Sequence, residues 1–123
     1  MSAAAKSTAL FAASRIATGA ALIASDRLAA LWLGDDGTRP GPRLAIRALG
    51  ARDIALGAGT LATLGDDAQL RRWVAASAAC DFADAMSALA TPSTALPAGA
   101  RWGTVAMGGG AALFGALIHR SLA

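Results

Sequence analysis

Four apolar stretches, each long enough for a helix of roughly six to seven turns, are separated by three polar breaks. The first runs from about Ser7 to Leu33, the second from about Arg43 to Leu64, the third from about Ala68 to Ala90 and the fourth from about Ala98 to Ile118. The break Gly34-Asp35-Asp36-Gly37-Thr38-Arg39-Pro40-Gly41-Pro42 combines glycine, proline and charge in a way expected to exclude helix. Gly65-Asp66-Asp67 is short enough to imply an antiparallel neighbour. Thr91-Pro92-Ser93-Thr94-Ala95-Leu96-Pro97 closes the third segment. Asp67 reads as the N-cap of the third helix, and the fourth has no capping residue beyond Thr94 and Gly99. With β-branched residues scattered and tyrosine absent, sheet is poorly supported. The pattern predicts an all-α chain, a single domain over residues 1–123 folded as a four-helix antiparallel transmembrane bundle, with no internal repeat.

Composition decides in favour of a bilayer as the surroundings. Charged residues make up 15% of the chain, against about 25% in ordinary soluble domains. Much of the 55% hydrophobic content is alanine, which also suits a soluble helical bundle, and that remains the alternative. The span from Gly103 to Ile118 is free of charge and bracketed by Arg101-Trp102 and His119-Arg120, the pattern of a short membrane helix with anchored ends. Trp32 and Trp73 also fall at helix ends, where a headgroup belt would place them. The N-terminal Lys6 before an apolar run resembles a signal peptide, but Arg15 interrupts the run and the pattern continues to Leu33, which argues against cleavage. The expected location is the inner (plasma) membrane, crossed several times. Lys6, Arg71, Arg72 and Arg120 on one side balance Arg27, Arg39, Arg43 and Arg101 on the other, so the positive-inside rule does not orient the chain.

Charge inside the apolar stretches is the main chemical clue. Arg47, Arg52 and Asp53 lie in the second segment, Asp81 and Asp84 in the third and Arg15 in the first. Unpaired charge in lipid or a dry core is penalised by several kcal/mol, so these residues must meet one another or line a wet site. At about 1.5 Å per residue, Asp53 and Asp81 each lie roughly 15 Å from opposite faces, near the midplane of a hydrocarbon layer about 30 Å thick. The same count puts Arg47 and Asp84 roughly 6 to 9 Å from one face and Arg15 about 12 Å from the other. The six form an electrically balanced set expected to act as a buried network that fixes helix register. The sharper alternative is a substrate or proton path.

Small residues fit close helix packing. Gly19, Gly50, Gly57, Gly108 and Gly115 are placed where membrane helices approach one another, and the glycine-studded fourth helix offers a smooth face for another protein or a second copy. Gly108-Gly109-Gly110 lacks the lysine and strand of a phosphate loop. Cys80 cannot form an internal disulfide, and His119 suits a helix C-terminus. No Ser/His/Asp set or metal-spaced histidine cluster is present, so no enzyme, cofactor or metal is expected. The net charge of +3 is dispersed, which disfavours nucleic acid as a partner.

Arg47-Ala48-Leu49-Gly50-Ala51-Arg52-Asp53-Ile54-Ala55-Leu56-Gly57, with Ala21-Leu22-Ile23-Ala24, Leu31-Trp32-Leu33-Gly34 and Asp81-Phe82-Ala83-Asp84-Ala85, resembles a family of small four-helix bacterial membrane proteins of the actinobacterial type. The resemblance covers most of the chain and implies membrane location and the pairing of the two charged motifs. It implies no activity. Three functions follow as expectations: an accessory or scaffold subunit packed against a larger membrane protein or itself, a small transporter or proton path built on Asp53, Asp81 and Asp84, and a membrane-embedded enzyme. The first is favoured. The transporter reading lacks the isolated acidic residue in the first helix that small drug exporters use, and nothing in the sequence supports the enzyme.

Overall fold

A computed structural model describes residues 1–123. It is all-helical: α1 (Ala3–Ala24), α2 (Asp26–Leu33), a 3-10 turn over Gly34–Thr38, α3 (Pro40–Ala62), α4 (Asp67–Ala90) and α5 (Ala98–Ser121). The expected four helices are therefore five, because the first apolar segment breaks at Ser25. There the backbone is extended, and the Ser25 hydroxyl accepts from the Leu28 N–H while Asp26 sits in the new first turn. Both favour a fresh helix start. The apolar pattern masked that signal by continuing past it.

Two further expectations shift at the helix starts. Helix α3 begins inside the break predicted to exclude helix, with Pro40 and Pro42 in its first turn. Proline is tolerated there because the N–H groups of a first turn have no intrahelical acceptor. The N-cap of α4 is Asp66, whose carboxylate accepts from the Gln69 N–H, and Asp67 is the first helical residue. Gly34, at φ 65° and ψ −150°, closes α2 in a conformation that essentially only glycine adopts.

The chain divides into two compact units, Met1–Leu64 and Gly65–Ala123. In the first, α1 and α3 pack as an antiparallel hairpin, with α2 and the 3-10 turn forming the connection. Its seam runs through Thr8, Ala12, Arg15 and Gly19 on α1 and through Arg43, Ile46, Gly50, Gly57 and Thr60 on α3. That alternation of three and four residues is the spacing of helices crossing at a shallow angle. The second unit is the hairpin of α4 and α5, whose α4 face buries Leu70, Val74, Ser77, Asp81, Ala85 and Ala88.

By length and composition one helix, α1, could cross a membrane, and only 22% of its apolar window is buried. Helix α3 carries Arg43, Arg47, Arg52 and Asp53, α4 carries Asp67, Arg71, Arg72, Asp81 and Asp84, and α5 is diluted by glycine.

Candidate functional site

The charged layer of the first hairpin is built by α1 and α3. Asp53 projects from α3 between Gly50 and Gly57, and the Arg15 guanidinium reaches it from α1, donating from Nη2 to Oδ1 at 2.9 Å. The Arg52 Nη2 donates to the same oxygen at 3.3 Å. The exposures are 6% for Arg15, 15% for Asp53 and 30% for Arg52, so one nearly dry guanidinium and one wetter guanidinium share a single carboxylate. The Arg15 guanidinium also lies 5.8 Å from the Phe11 ring centroid, within cation–π range. The phase of α3 makes this meeting possible, because Asp53 lies on the same seam as the glycines that bring α1 close.

Arg47 is a correction. It was expected inside the network, but it is exposed, because the seam passes through Arg43, Ile46 and Gly50 and leaves position 47 to one side. The buried arginine of α3 is Arg43, the first residue of the expected second helix, which the sequence pattern placed among the flanking charges. Its Nε donates to the Asp26 carboxylate, and its Nη1 and Nη2 donate to the Leu22 and Ile23 carbonyls at 2.6 and 2.8 Å. Those carbonyls are among the last of α1 and have no intrahelical acceptor role left to fill. Arg43 thus closes α1 from the neighbouring helix.

The second hairpin repeats the device. Arg101 of α5 donates from Nη1 to the Thr91 carbonyl at 3.1 Å and from Nη2 to the Leu89 carbonyl at 2.9 Å, closing α4. Seven residues separate each arginine from a seam glycine, and seven more lead to the next: Arg43, Gly50, Gly57 in α3 and Arg101, Gly108, Gly115 in α5. The expectation of no internal repeat is corrected here. The repeat resides in the seam, where the spacing is kept while nearly every other residue differs.

The glycines mark where backbones touch. A methyl group on Gly50 would stand 2.5 Å from the Gly19 carbonyl oxygen, and one on Gly19 would meet the Gly50 carbonyl in return. Gly57 faces the Ala12 carbonyl at 2.6 Å, Gly108 the Asp81 carbonyl at 2.7 Å and Gly115 the Ala78 methyl at 3.0 Å, measured in the same way. Gly103, Gly109 and Gly110 of α5 have open space around them.

These pairings set equivalent layers. Gly108 meets the Asp81 carbonyl as Gly50 meets that of Gly19, so Ser77 of α4 stands where α1 has Arg15, and where α3 sets Asp53, α5 sets Ala111. Asp81 is buried and Asp84 half-buried one turn on, on the same side of α4. Of the tryptophans, Trp102 is exposed beside Arg101, with the guanidinium 5.6 Å from its ring centroid, while Trp32 and Trp73 are half-buried.

Comparison with protein-family models, curated proteins and solved structures returns no match.

Proposed function

We propose that this chain is a small multi-pass protein of the inner (plasma) membrane, and that it serves as an accessory or scaffold subunit, packing against a larger membrane protein or a second copy of itself. The observation that carries this reading is the many large apolar side chains that face outward around a core rich in small and charged ones. Much of the buried set is small or charged, including Thr8, Ala12, Arg15, Arg43, Thr60, Asp81, Ala85, Ala88 and Ala100, beside five larger aliphatic side chains, Ile46, Leu56, Leu70, Val74 and Ile118. Large apolar side chains face outward: Leu10 at 74% exposure, Met107 at 72%, Leu44 at 71% and Leu113 at 64%. Water disfavours that arrangement by about 25 cal/mol for each Å² of apolar surface left exposed, whereas lipid tails do not. In lipid, helices associate through small residues and polar contacts, as they do at Gly19, Gly50 and the Arg15–Asp53 pair. The resemblance to small four-helix bacterial membrane proteins points the same way.

The charged residues are given a structural role in this reading. Asp53 holds two guanidinium groups, and Asp81 and Asp84 are engaged as well, which suits register-keeping better than proton transfer. The test is fractionation followed by mass measurement in mild detergent. The chain should stay with the membrane through alkaline carbonate washing and should run in a stoichiometric complex well above its own 12.1 kDa. Release by carbonate contradicts the membrane assignment. A lone monomer contradicts the accessory role.

A further inference from the structure

The two ends of the second hairpin are chemically unlike. Gly108 stands against Asp81 and Gly115 against Ala78, so the antiparallel register, carried on toward the start of α4, brings Ile118, His119 and Arg120 level with Arg71, Arg72 and Trp73. Arg72 and Arg120 are exposed, and Arg71 and His119 are half-buried. None of the four forms an ion pair. Two side-chain carboxylates share this end: Asp66 is occupied capping α4, and Asp67, one turn before Arg71, is exposed and makes no salt bridge. At the other end the one basic side chain, Arg101, is spent on the carbonyls of Leu89 and Thr91.

Below the basic end the surface turns apolar at once. Leu117, Phe114, Leu113 and Met107 follow one another outward along α5, and Trp73 sits directly after the two arginines of α4. Free arginines above a tryptophan and an exposed aliphatic stripe match the boundary between anionic headgroups and acyl chains. A nucleic acid or an acidic protein would use the arginines but leave the stripe uncovered.

Resting on the membrane reading above, we infer that the end of the second hairpin formed by Arg71, Arg72, His119 and Arg120 is a docking site for the phosphate headgroups of anionic phospholipids. The site draws such lipids from the surrounding bilayer, and each arginine near the surface favours them about fivefold over zwitterionic ones.

The chain has no tyrosine, so replacing Trp32 and Trp102 with phenylalanine leaves Trp73 as the reporter. The full-length protein is reconstituted into phosphatidylcholine vesicles that carry a fixed fraction of acyl-brominated lipid, either phosphatidylglycerol or phosphatidylcholine. Brominated phosphatidylglycerol should quench Trp73 several-fold more effectively. Substituting Arg71→Gln, Arg72→Gln and Arg120→Gln together should abolish the difference while quenching by brominated phosphatidylcholine persists. Raising the salt should narrow the difference in the protein that keeps its arginines, a check that does not depend on how the triple variant folds. Equal quenching by the two lipids overturns the headgroup site and leaves the membrane assignment standing. Absence of quenching by either removes the membrane assignment itself.

Discussion

Asp53 is the side chain on which the first hairpin depends most, because Arg15 and Arg52 both donate to its Oδ1. Asp53→Ala should lower unfolding stability by roughly 3 to 5 kcal/mol, since it strips the carboxylate from a guanidinium that is only 6% exposed. Arg52→Ala should lower it by less, because Arg15 continues to hold the carboxylate. Denaturant titration of both variants in detergent, followed by helical circular dichroism, checks the order; equal losses would show that Arg15 alone does not satisfy Asp53. The Arg15, Arg52 and Asp53 positions were legible because charge inside an apolar run stands out. Arg43 was not, since it stands at the first residue of the expected second helix, where a basic side chain reads as a flanking charge, and the observed start of α3 at Pro40 puts it a turn inside, on the seam. Arg47 was chosen on depth alone, and depth does not report which way around the helix a side chain points.

At the scale of the helices, contact between backbones governs stability. Gly50→Ala should be destabilising by about 1 to 3 kcal/mol, because the new methyl meets the Gly19 carbonyl and backbone cannot yield as a flexible side chain can. Gly109→Ala, where nothing stands within 4 Å, should instead gain up to about 1 kcal/mol from helix propensity. Opposite signs in thermal melts of the two variants are expected, and a loss at both would mean that α5 is packed on a face the hairpin leaves open. Helix type and most boundaries could be read from the apolar runs. The break at Ser25 could not, because Ile23 and Leu28 carry the apolar pattern across it while a single hydroxyl at Leu28 N–H restarts the helix. The repeat of Arg43, Gly50 and Gly57 in Arg101, Gly108 and Gly115 was hidden for a related reason. Three residues in fifteen carry it, and they become visible once Arg43 and Arg101 are seen to perform the same capping of a preceding helix.

For the molecule as a whole, the distribution of size and charge is the central physical fact. The interior is rich in alanine, glycine, threonine and charge beside a few aliphatics such as Leu56 and Leu70, while many large apolar side chains lie outside, as at Leu10, Leu44, Phe82, Trp102, Met107 and Leu117. An aqueous protein folded this way would leave much of its large apolar surface in water. A protein in lipid has no need to bury that surface, and uses the small residues for close approach. The most direct test is nitroxide accessibility scanning in bilayers, with Cys80→Ser as background and single labels at Leu10, Leu44, Met107 and Leu113. All four labels should be open to dissolved oxygen and shielded from a water-soluble nickel complex, whereas preferential access by the nickel complex would contradict the account.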